Sequence, residues 1–109
     1  MPYHIISLAE YEKSINDLEN VEQQRIERFI VQIRENGMLV GKRLRFPFFR
    51  EKKFNGKRLY FLIYEEWKTA LLARVSTKKQ QDETINWIVE NLPELKKYVE
   101  QKLREMGII

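Results

Sequence analysis

The dipeptide Asn55-Gly56 constrains this chain more than any other feature. Both residues suit the positive-φ positions of a type I′ hairpin turn, and aromatic and β-branched residues flank them on either side. Phe46 to Phe54 and Lys57 to Tyr64 therefore read as antiparallel strands, with Thr69 to Val75 as a third, and Pro47 belongs at a strand start or edge. With a two-residue turn, Lys53 faces Arg58 and Glu51 faces Tyr60, because directly opposed residues point to the same side. Arg50 and Lys52 then share the other side with Leu59 and Phe61. Leu59, Phe61 and Ile63 form the more uniformly apolar row and are assigned to the core, which leaves Glu51, Lys53, Arg58 and Tyr60 on an open face. A bulge or a longer turn would exchange the two sets, since a slip of one residue inverts every side chain.

Helical periodicity surrounds these strands. Tyr3 to Ile6 is a short strand candidate, and Ser7 with Glu10 reads as a capping box opening a helix that carries Leu8, Tyr11, Ile15 and Leu18 on one face. Asn20 with Gln23 caps a second helix striped by Ile26, Phe29, Ile30 and Ile33, and Asn36-Gly37 stops it. The short link from Asp17 to Asn20 predicts an antiparallel helical hairpin covering one face of the sheet. Thr77 with Gln80 caps a third helix through Ile85 and Ile88. Pro93 ends it and opens a fourth, with Leu95, Val99, Leu103 and Met106 on one face. The pattern is one α+β domain over residues 1–109, with a mixed or antiparallel sheet and residues 91–109 as a C-terminal helical extension.

Composition narrows the chemistry. There is no Cys, and His4 is the single histidine, which leaves a Ser-His-Asp site or a zinc site without its usual groups; His4 reads as structural. No apolar run approaches the roughly 20 residues of a membrane span, and the expected location is cytoplasmic. Eight of the twenty Lys and Arg residues fall between Lys42 and Arg58, where Glu51 is the only acid, so this stretch carries +7 and the rest −3. Such a field suits a polyanion, an anionic membrane or an acidic protein; the competing reading is a solvated lysine-rich face.

Guanidinium and ammonium groups on a rigid sheet suit phosphodiesters, because Arg clamps a phosphate bidentately and fixed cations stabilise developing charge. RNA carries its own nucleophile in the 2′-OH, so such a site needs no metal or cofactor. Glu51, or a lysine crowded by cations, is the candidate base, against the plainer alternative that Lys53 pairs with Glu51 or Asp82 on a wet surface. Tyr60, Tyr64 and Trp67 are candidates for base stacking, although aromatic residues on strands more often pack the core.

From Leu44 to Ile85 the sequence resembles the RelE/ParE toxin superfamily: the pair Leu44-Arg45, the basic strand FREKKF, the turn and strand NGKRLYFLIY, and the segment VSTKKQQDET. The flanking helices match the family's order, and the likeness spans about residues 3–90. It implies a RelE-like fold, with an N-terminal strand and helical hairpin packed on a mostly antiparallel sheet followed by C-terminal helices. It also implies a type II toxin-antitoxin toxin, with a cognate antitoxin, mRNA and the ribosome as partners for RelE-like members and DNA gyrase for ParE-like members. Carried over by motif, Arg58 opens the strand after the turn, Arg50 and Lys52 match paired lysines of the preceding strand, and Lys78 matches the basic residue after the last strand. The alignment needs a deletion at the turn, so Lys53 is kept beside Lys52. Lys42, Arg43, Arg45 and Lys79 are expected to contact RNA. RelE-like nucleases commonly place a tyrosine or histidine where this chain has Thr84, with Trp87 nearby. That departure leaves two readings: an endoribonuclease whose base is Glu51 or a lysine, or a non-catalytic RelE-fold RNA- or protein-binding protein. Oligomeric state and codon preference stay open.

Overall fold

The computed structural model describes residues 2–109. Strand β1 (His4–Ser7) leads into helices α1 (Ala9–Ile15) and α2 (Asn20–Asn36), then strands β2 (Lys42–Arg43), β3 (Phe49–Phe54), β4 (Lys57–Tyr64) and β5 (Thr69–Thr77), and helices α3 (Gln81–Glu90) and α4 (Leu92–Glu105). The five strands form one mixed sheet in the order β1-β5-β4-β3-β2, with β1 parallel to β5 and the other pairs antiparallel. No helix among the described residues is long and apolar enough to cross a membrane.

The hairpin has the anticipated register. Asn55 (φ 46°) and Gly56 (φ 73°) occupy the two turn positions, and Lys53 pairs with Arg58, Glu51 with Tyr60, Lys52 with Leu59 and Arg50 with Phe61. Strand β3 begins at Phe49 rather than Phe46, because Phe46 to Phe48 form a turn closed by the Phe49 N–H donating to the Phe46 carbonyl. The two-residue strand β2 has no counterpart in the sequence reading; it is too short to show alternation. Ala73 makes a bulge in β5 opposite the Tyr60–Phe61 step.

Helix starts differ in detail. Leu8, not Ser7, precedes α1, and the Ser7 hydroxyl donates to Glu12 instead. The N-cap of α2 lies one residue before the expected Asn20: it is Glu19, whose N–H donates to the Glu22 carboxylate. Thr77 and Gln80 do pair, on a short 3₁₀ turn that runs into α3. Pro93 sits in the first turn of α4, as expected.

Both sheet faces are covered. Leu59, Phe61, Ile63 and Leu72 pack under α1 and α2 against Tyr11, Ile26, Phe29 and Ile33. On the reverse, Phe49, Tyr60, Leu62 and Leu71 pack under α3 and α4 against Ile85, Ile88, Leu95, Val99 and Leu103. The face expected to be open is therefore a second core, since the apolar stripe of α3 and α4 has to leave water and this face is where it can do so. Where β1 ends, α1 seals the edge of β5: the Ser14 hydroxyl accepts the Val75 N–H and donates to the Tyr11 carbonyl.

Two devices, one steric and one polar, anchor the α2 layer. Gly37 stops α2 at φ 51°, and a Cβ there would lie 2.2 Å from the Tyr3 ring. At the opposite end the Glu22 carboxylate accepts hydrogen bonds from Lys57 Nζ at 2.7 Å and Asn55 Nδ2 at 2.8 Å, tying α2 to the hairpin turn. Lys57 above all, then Asn55, holds the Glu22 carboxyl down from its usual 4.5 to about 2. Gly37→Ala is expected to lose about 1–3 kcal/mol of stability, from the collision with Tyr3 and the strained backbone, read as a lower urea midpoint. A depressed carboxyl stabilises the fold above its ordinary value and loses that contribution as pH falls through its folded one. Stability should accordingly decline between about pH 4.5 and 2, and Glu22→Gln should flatten that part of a Tm-against-pH curve.

Candidate nucleic-acid interface

The cations of the basic segment divide between the two faces of the sheet. Alternation along β3 sends Arg50 and Lys52 toward α2, and Glu51 and Lys53 toward α3. Arg58 lies with the second pair, directly opposite Lys53. Lys42, opposite Glu51 on β2, joins them, whereas Arg43 lies opposite Arg50. The hairpin thus decides between the two lysines kept from the family alignment: Lys53, not Lys52, shares the face of Arg58.

Each of the remaining cations has its own setting. Arg50 donates from Nε to the Val40 carbonyl at 2.7 Å, from one terminal nitrogen to Gly41 at 2.8 Å and from the other to Pro47 at 3.1 Å, so it braces the loop before β3. Lys52 places its ammonium 5.4 Å from the Phe29 ring centre. Arg45 donates to Asn86 on α3 at 2.9 Å, and Lys57 is committed to Glu22. Arg50 and Lys52, which the alignment sets beside Arg58, lie on the opposite face of the sheet from it. Lys42, Arg43, Lys53, Lys78 and Lys79 are exposed; the last two stand on the turn that follows β5, just beyond Ser76, the partner of Arg58.

Beneath this exposed rim the polar groups are enclosed. Glu51 is 2% and Arg58 7% exposed, with Glu51 Oε2 3.7 Å from Arg58 Nε and accepting a hydrogen bond from Gln81 Nε2 at 3.1 Å. The buried Arg58 Nε–H has no hydrogen-bond partner. Tyr60 is wholly buried and its hydroxyl donates to Ser76 Oγ at 3.0 Å, Ser76 passing its own proton to the Thr77 carbonyl. Burial above all raises the Tyr60 pKa, with the Ser76 hydrogen bond opposing it. Tyr64 is likewise buried and its pKa is pushed up by desolvation, while Trp67 is half-buried under the Lys96 ammonium at 5.8 Å. Tyr60 and Tyr64 are core residues and cannot stack bases. Thr84 is 1% exposed, and His4 is an exposed residue of β1.

Sequence reasoning missed two residues of this site. Neither Gln81, which donates to Glu51, nor Ser76, which accepts from Tyr60, is singled out by the sequence. The unbroken apolar run Leu59 to Tyr64 was an available signal that β4 is buried on both faces. Two substitutions separate bracing from surface charge. Arg50→Ala should destabilise by about 2–4 kcal/mol through loss of charge-assisted bonds to three carbonyls, whereas Lys53→Ala should stay within about 0.5 kcal/mol of the parent in chemical denaturation.

No protein-family model and no curated protein matches this sequence. Solved structures do. The RelBE2 toxin-antitoxin complex of Mycobacterium tuberculosis matches at a TM-score of 0.62 and 20% identity, over 72% of this chain and 100% of that one. The isolated Escherichia coli RelE toxin matches at 0.63 and 17% identity, over 79% and 98%. The RelB-RelE complex of Methanococcus jannaschii matches at 0.58 and 12% identity, over 72% and 95%. With its strand order, its helical hairpin and these likenesses taken together, the chain has the RelE toxin fold.

Proposed function

We propose that this protein is the toxin of a type II toxin-antitoxin pair, an endoribonuclease that cleaves mRNA on the ribosome and so inhibits translation. The observation that carries this reading is the convergence of Lys42, Lys53 and Arg58 on one side of a RelE-fold sheet, with Lys78 and Lys79 exposed at its end. A row of fixed cations binds the phosphates of a polynucleotide and neutralises the charge that builds on the phosphorus when the 2′-OH attacks. Arg58 supplies the planar clamp and Lys53 the mobile charge. Glu51 is enclosed and Thr84 does not titrate, so the exposed Lys42 and Lys53 are the groups on this face proposed to exchange a proton with the 2′-OH. The cytoplasm, where ribosomes are, is the expected location. A small acidic antitoxin covering the basic rim is the expected partner, in keeping with the toxin-antitoxin complexes among the similar structures.

The burial of Glu51, Arg58 and Thr84 favours a second reading, a non-catalytic RelE-fold protein that binds RNA through the rim alone. A translation extract read by primer extension separates the two. The nuclease gives new RNA 5′ ends that Arg58→Ala abolishes, with cell growth arrested by the parent and not by the variant. Salt-sensitive RNA binding without new ends would establish the second reading, and inhibition of gyrase supercoiling would replace both.

A further inference from the structure

Glu51 is an expensive residue where it stands. A carboxylate 2% exposed between Phe49 and Tyr60 has lost its water, and such burial persists only where other charges and donors replace it. Three cations surround it on the same side of the sheet. Lys42 is directly opposite on β2, Lys53 stands two residues along β3, and Arg58 is diagonal on β4. Lys53 and Arg58, opposed across the hairpin, repel each other unless an anion lies between them. Glu51 is the acid that the basic stretch retains, and its Oε2 lies 3.7 Å from Arg58 Nε, one pair along the hairpin from Lys53.

We infer that Glu51 is a positioning residue: its carboxylate, tethered by Gln81, holds the Arg58 guanidinium beside two lysines so that the three cations face one stretch of RNA backbone. This rests on the proposed role of Arg58 as a phosphate contact. The geometry is directional. The carboxylate approaches Arg58 from its Nε side at 3.7 Å, and the two terminal nitrogens donate no hydrogen bond to a described residue. An arginine held in this way keeps a terminal edge for a phosphate instead of folding it onto its own carboxylate. Gln81 is neutral and donates at 3.1 Å to the same Oε2, so it fixes the carboxylate without weakening its charge. Because Gln81 opens α3, the helix that covers this face also sets the arginine.

Fluorescence anisotropy with a short labelled single-stranded RNA, titrated at several salt concentrations, tests the assignment. Each phosphate contact on a single strand contributes about 0.7 to the slope of log K against log salt. Arg58→Ala should make the slope shallower by about that amount. Glu51→Gln should do the same, even though it leaves the protein one unit more positive, and the double variant should lose nothing further. Gln81→Ala, which keeps the carboxylate and removes its tether, should give a smaller loss in the same direction, and it carries the test if Glu51→Gln fails to fold by circular dichroism. Tighter binding of Glu51→Gln at unchanged slope would overturn the inference, leaving Glu51 as a mere repulsive charge. A full slope for Gln81→Ala would overturn it as well. A full slope for Arg58→Ala would remove the phosphate role of Arg58 and with it both the inference and the reading beneath it.

Discussion

The pairing of β3 with β4 is the constraint on which the rest of the molecule depends. Asn55 and Gly56 take positive φ in two consecutive positions, which closes the hairpin with no spare residue and fixes Lys53 opposite Arg58. Tertiary contacts then hold the turn: Asn55 and Lys57 both reach the Glu22 carboxylate at the start of α2. A slip of one residue would turn Lys53 toward α2 and bring Arg50 and Lys52 round to α3. Because each side of the sheet is packed, such a slip would also bury charges in two cores at once.

This packing explains why a +7 segment does not behave as one field. A cation on a two-sided sheet has to reach water, find a partner or lie against an aromatic ring, and the eight take different routes. Arg50 satisfies backbone carbonyls, Lys57 pairs with Glu22, Lys52 lies over Phe29 and Arg45 latches to Asn86 on α3. Lys42, Arg43 and Lys53 remain at the surface, and Arg58 lies below them against Glu51. The positive patch is thus narrower than the sequence implies but more ordered, with its arginine held between a helix and the sheet.

The sequence-level errors share one physical origin. The first two caps differ by one position from the sequence expectation because Ser, Asn and Glu compete locally for the same N–H groups, and the winner depends on what else each side chain meets, as with Glu22 and Lys57. The short strand β2 exists because β3 offers it an edge, which no pattern within two residues can announce. The supposed open face failed for a related reason: whether Tyr60 sees water depends on where α3 and α4 come to rest, twenty residues and more along the chain.

What the sequence by itself determined was local and periodic: the two-residue turn, the register it imposes, the stop at Gly37, the proline opening α4 and the apolar stripes that make an α+β domain. Short-range sterics and side-chain spacing decide those, and they are complete within a few residues. The tertiary structure alone decided which face each helix covers, that Glu51 and Arg58 are enclosed while Lys53 is not, and that Gln81 closes over their pair. Those facts depend on desolvation, which is a property of the assembled surface and not of any segment taken alone.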